Sequence, residues 1–111
     1  MSAAPPIQQA TPEEIQQRLQ NGEDLLLVDV REPEEIAIAA LPEVLVCPMS
    51  RAADWVDRLP KDQALVLFCH HGIRSMRVAL ALAERGHRNL TNMTGGIDRW
   101  STNVDPGVPR Y

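Results

Sequence analysis

The sequence is short of cysteine, of aromatic residues and of positive charge, and each shortage excludes something. Two cysteines, Cys47 and Cys69, are too few for a disulfide framework and are expected as free thiols in a reducing compartment. A net charge of −4 lacks the basic face of a nucleic-acid binder. No apolar run reaches the roughly 18 residues of a membrane span, and no charged-then-apolar amino terminus with a small-residue cleavage site marks a signal peptide. A soluble cytoplasmic protein that meets neither membrane nor nucleic acid is expected. With only two Trp, one Tyr and one Phe, Trp55 and Trp100 are expected as core anchors.

What is present suffices for one folded domain. The 111 residues are 44% hydrophobic, enough for a layered core in a monomer spanning 1–111, with a loose leader at 1–6 and an extended, surface-bound tail at 102–111. "TPEEIQQRLQNG" marks a helix, with Thr11 as N-cap, Pro12 at the first helical position, Glu14 completing a capping box and Gly22 just past the end. "LLLVDV" at 25–30 is a continuous apolar run closed by Asp29, too short for a helix and uniform enough for a strand buried on both faces.

The pattern then repeats. A short helix is expected over 32–41, a strand over 44–47, a helix over 50–59 capped by Ser50, and a strand over 64–68. Beyond Cys69 a helix is expected to run to about Arg85, with Gly86 as C-cap and Met76, Ala79, Leu80 and Ala83 as its core stripe. "NLTNM" is a fifth short strand, "GGIDRWS" a last helical turn or two, and a short edge strand is expected at Ile7 to Gln9. Strands alternating with helices predict an α/β fold, a mostly parallel five-stranded sheet covered on both faces.

The stretch "LVLFCHHGIRS" puts Cys69 directly after a strand and just before a helix. In an open parallel sheet the ligand crevice lies at the carboxyl ends of the strands. A lone cysteine is usually a small buried hydrophobe, and Cys47, which ends a short strand before Pro48, is read that way. Cys69 has different company. The residues from Cys69 to Arg74 form a loop whose amides and adjoining helix dipole favour an anion, which pushes a thiol toward thiolate. Gly72 supplies the unusual dihedrals of a tight ring. No acid occurs from Cys69 to Arg77, so with Arg74 and Arg77 the segment is a local positive island in a negative chain.

"CHHGIRS" resembles the active-site loop of the rhodaneses, the sulfurtransferases in which a cysteine opens a six-residue loop. "LLLVDVREPEE" is similar to that family's strand and Asp-x-Arg segment, and "NMTGGIDRWS" to its Gly-Gly-x-x-x-Trp stretch, so the resemblance spans roughly residues 5 to 101. It implies a single rhodanese domain that moves a sulfane sulfur through a persulfide on Cys69. His70, His71, Gly72, Ile73 and Arg74 would supply an amide cradle, and Arg74 would bind the substrate anion. Asp29 and Arg31 would brace the site from beside it. One departure is visible: in "ALPEV", Glu43 stands where many members have a glycine before the third strand.

The implied chemistry is thiolate attack on the outer sulfur of a donor such as thiosulfate, loss of sulfite, and transfer of the bound sulfur to cyanide, a thiol, thioredoxin or a sulfur-carrier protein. The resemblance implies no metal and no organic cofactor. His70 and His71 are not expected as metal ligands, because adjacent side chains diverge and no second cluster stands at ligand spacing. His87 is expected to be a solvated cap residue, and "EEIQQR" and "EPEE" ordinary solvated helix faces. Two other classes stay open. A phosphatase or arsenate reductase shares the strand, cysteine loop, arginine and helix, but its loop is one residue longer. A non-catalytic or redox-sensing interaction module commonly lacks the cysteine.

Overall fold

A computed structural model describes residues 7–111; the leader expected at 1–6 lies outside them. Strands β1 (Gln8–Ala10), β2 (Leu25–Asp29), β3 (Leu45–Val46), β4 (Ala64–Phe68) and β5 (Leu90–Met93) alternate with helices α1 (Pro12–Gln20), α2 (Pro33–Ile38), α3 (Ala52–Trp55), α4 (Ile73–Glu84) and α5 (Gly96–Asn103). The sheet order is β1-β5-β4-β2-β3, and every neighbouring pair is parallel. This is the expected three-layer α/β architecture. None of the helices among the described residues is long and apolar enough to cross a membrane.

Alternation along the central strands feeds two separate cores. Leu65, Leu67 and Cys69 face one side with Val78, Ala79 and Leu82 of α4, while Val66 and Phe68 face the other with Ile15 of α1 and Ile97 and Trp100 of α5. Trp100 is thus a core anchor, whereas Trp55 is only half-buried and donates its indole N–H to the Pro48 carbonyl at 2.9 Å. After β2 the chain runs outward to β3, and after β4 it runs the opposite way to β5. The crevice between the carboxyl ends of β2 and β4 is therefore the switch point of the sheet, where ligands bind in open α/β folds. Arg31 lies just past one of these ends and Cys69 just past the other.

Local signals are met where the chemistry is local. Thr11 accepts from the Glu14 amide at 3.2 Å and the Glu14 carboxylate accepts from the Thr11 amide at 2.9 Å, so α1 has its capping box. Elsewhere tertiary context shortens or shifts the expected elements. The edge strand is Gln8–Ala10, not Ile7 to Gln9; α2 stops at Ile38; and β3 is only Leu45–Val46. The segment 50–59 splits into a 3-10 turn, Met49–Arg51, and the four-residue α3, so Ser50 caps nothing and instead donates its amide to Glu32. In α4 the buried side chains are Ser75, Val78, Ala79 and Leu82, while Leu80 is half-exposed. Glu43 has φ 58°, the left-handed region that favours glycine, which is why a glycine suits that place.

The tail expected to be extended and surface-bound begins within α5; beyond it Val108 packs into the core with Trp100 and Ile97, Arg110 pairs with Asp98 of α5, and Tyr111 stacks on His70 of the Cys69 loop.

Candidate functional site

Cys69 lies at the end of β4 and is wholly buried. Its Sγ accepts from the Gly72 amide at 3.1 Å and the Ser75 amide at 3.4 Å, both at the start of α4. The loop turns at Gly72, whose φ of 101° suits glycine and whose added Cβ would lie 3.2 Å from the Met93 carbonyl. Burial pushes the Cys69 thiol up, but hydrogen bonds from Ser75 and from the Gly72 and His71 amides outweigh it and hold the pKa below the ordinary value. The Ser75 hydroxyl, 3.4 Å from Sγ, is engaged elsewhere: it donates to Asn92 Oδ1 at 2.5 Å. Asn92 cannot face the other way, because its amide nitrogen donates to the Gly72 and Gln9 oxygens at 3.1 and 3.0 Å. The backbone amides are thus the donors already aimed at the sulfur, and the hydroxyl can join them only by leaving Asn92.

The far side of the loop is fixed by α5. The Ile97 amide donates to the Cys69 carbonyl at 2.9 Å and the Asp98 amide to the His70 carbonyl at 3.1 Å. That contact requires Gly96, since a Cβ there would collide with both of these carbonyl oxygens. The double glycine is a close-approach point between two backbones, more than the tight turn its sequence suggests.

The positive island of the loop is offset in space. Arg74 is gripped by Glu35 of α2, Nη1 to Oε1 at 2.6 Å and Nη2 to Oε2 at 2.8 Å, which holds the Glu35 carboxyl down at about 2. "EPEE" is therefore not an ordinary solvated face. In "EEIQQR", likewise, Glu13 pairs with Arg99 at 2.8 Å. A second carboxylate, Asp98, approaches His71 at 3.9 Å and is bound by Arg110 at 2.9 Å. A run without acids is positive only along the chain; the folded protein brings acids to it from two other helices.

Asp29 and Arg31 form a fully buried ion pair at 2.7 Å. Arg31 also donates to the Ala39 carbonyl at 2.8 Å, the Glu35 carbonyl at 3.4 Å and the Tyr111 hydroxyl at 3.1 Å, tying β2 to α2 and the tail. Tyr111 in turn donates to Glu35 at 2.7 Å and stacks on His70, with ring centroids 4.0 Å apart and planes 8° apart.

His70 and His71 do not diverge as expected: their ring centroids are 3.9 Å apart, and with Asp98 their ligating atoms fall within 4.8 Å of one another. The Arg110 pairing of Asp98 and the Tyr111 stack on His70 account for this cluster, and no ion is assigned to it. His87 is not solvated. It is 1% exposed, neither ring nitrogen has a hydrogen-bond partner among the described residues, and burial lowers its pKa. The side chain of Ile73, expected only for its amide, is 68% exposed at the rim. Sequence reasoning missed Ser75, Asn92, Glu35, Asp98 and Tyr111; of these only Ser75, adjoining the loop, carried a local signal.

A buried cysteine in an amide cradle at the switch point of a parallel sheet defines a class of α/β domains. The rhodanese-like domain matches residues 11–103, and the chain belongs to that family. It is 38% identical over 96 residues to a sulfurtransferase of Allochromatium vinosum, covering 86% of this chain and 90% of that one. It is 35% identical over 118 residues to a rhodanese-like/PpiC domain-containing chloroplastic protein of Arabidopsis thaliana, covering all of this chain and 40% of that longer protein. Among solved structures, a rhodanese-like domain protein of Staphylococcus aureus superposes with a TM-score of 0.81 at 27% identity, covering 95% of this chain and 99% of that one.

Proposed function

We propose that this protein is a sulfurtransferase that moves a sulfane sulfur, from thiosulfate or a similar donor, through a persulfide on Cys69. The observation that supports this reading most is the pair of amides from Gly72 and Ser75 converging on Sγ at the head of α4. In the first half-reaction the Cys69 thiolate attacks the outer sulfur of the donor, the donor S–S bond breaks, and sulfite leaves with its electron pair. The persulfide anion stays within reach of the amides. In the second half, a nucleophile takes the outer sulfur and returns the thiolate: cyanide in an assay, and a thiol, thioredoxin or sulfur-carrier protein in a cytoplasmic setting.

Intact-mass measurement after incubation with thiosulfate or 3-mercaptopyruvate tests this. About one added sulfur is expected, lost on cyanide treatment and missing in Cys69→Ser. Cysteine-dependent release of phosphate from p-nitrophenyl phosphate, faster than thiocyanate formation, would overturn the reading and favour the phosphatase class.

A further inference from the structure

The guanidinium expected to receive an anionic donor is already occupied. Both Arg74 donors that face Glu35 are used, at 2.6 and 2.8 Å, and Glu35 is itself pinned by the Tyr111 hydroxyl at 2.7 Å and the Glu32 amide at 3.2 Å. Arg31 offers no substitute, because Asp29, two backbone carbonyls and Tyr111 consume its donors inside the protein. On the opposite flank Asp98 adds a second carboxylate, paired with Arg110 at 2.9 Å. At Arg74, Arg31 and Asp98 a dianion entering here meets charges that are already paired. To reach Arg74 it must displace Glu35 and leave that carboxylate unpaired beside itself. The rim is organic instead: the exposed Ile73 side chain and the stacked His70 and Tyr111 rings.

We infer that Glu35 sets the donor class, turning the site away from small free oxyanions and toward the persulfide of a thiol that bears no oxyanion. This rests on the sulfurtransferase reading and deepens it. The step balances without a further reactant: the Cys69 thiolate attacks the outer sulfur of R–S–SH, the donor S–S bond breaks, the electron pair leaves on RS−, and Cys69 retains –S–SH. Nothing in this step needs a guanidinium for an oxyanion leaving group. Arg74 then serves as a positioning residue that ties the loop to α2.

The test compares rates of loading of Cys69, read by intact mass, with thiosulfate and with the persulfide of 2-mercaptoethanol. The wild-type protein should load faster from the persulfide. Glu35→Gln keeps the shape and frees the Arg74 charge, so the ratio of thiosulfate to persulfide rates should rise roughly tenfold or more. Tyr111→Phe, which removes the bond to Glu35 and the one accepted from Arg31 but no charge, should move the ratio the same way by less. It also keeps the question answerable if Glu35→Gln fails to fold. A wild-type preference for thiosulfate, or an unchanged ratio in a folded Glu35→Gln protein, would overturn the inference while leaving the sulfurtransferase reading standing. Loading from neither donor would remove both.

Discussion

Cys47 and Cys69 occupy equivalent places, each just beyond the carboxyl end of a parallel strand, and each is buried, at 2% and 1% exposure. Their chemistry is opposite. Burial and the nearby Asp29 carboxylate push Cys47 up to about 11, whereas Cys69 is held below the ordinary value. The backbone on the carboxyl side of each thiol makes the difference. After Cys47 comes Pro48, which has no N–H to give, and a 3-10 turn; after Cys69 come Gly72 and the amides that open a 12-residue helix. A strand end places a thiol, and the next few amides decide which way its pKa moves. The two remain free because β2 lies between their strands, a separation of roughly two strand spacings, beyond the reach of a disulfide.

The comparison can be broken most directly by exchanging the thiols one at a time. Cys69→Ser should abolish the sulfur adduct and Cys47→Ser should leave it whole, as intact mass would show; an adduct that depends on Cys47 reverses the assignment. The next largest effect should come from Gly96→Ala. A methyl forced against the Cys69 and His70 carbonyls must push the loop aside, costing about 3 kcal/mol in chemical denaturation and slowing alkylation of Cys69. A variant as stable and reactive as wild type would show that the α5 contact does not hold the cradle.

Alkylation with iodoacetamide across pH sharpens the contrast further, because only the thiolate reacts. Cys69 should label with a midpoint below that of an ordinary cysteine, while Cys47 in the folded protein should stay unlabelled until the pH nears about 11. Equal midpoints would dissolve the distinction. The smallest effect is expected of Ser75→Ala. Its hydroxyl proton lies on Asn92, so the Cys69 midpoint should rise only slightly, and a large rise would mean that the hydroxyl turns to the sulfur when the thiolate forms.

The fold was legible in the sequence wherever neighbours in the chain decide the structure. The Thr11 box, the uniform runs of β2 and β4 and the strand–cysteine–glycine–helix order all act within a few residues. What escaped was set by distant partners. Glu35 is 39 residues from Arg74, and Tyr111 is 76 from Glu35. His87 looked like a polar cap after Gly86, yet the fold buries it, and neither ring nitrogen has a partner among the described residues. Glu43 shows the converse: the family comparison of one residue marked a place whose φ of 58° lies in the region glycine favours.

The contact of α5 with the Cys69 loop also orders events during synthesis. The amides of Ile97 and Asp98 hold the Cys69 and His70 carbonyls, and β1 finds its place only beside β5, Gln8 opposite Thr91. Pairing between such remote segments is slow to nucleate and comes late in folding. The Gly72 and Ser75 amides that meet the sulfur are close to it in the chain, but the carbonyl side of the loop is held only once residues 96–98 have docked, so the cradle is complete only when the end of the domain is in place.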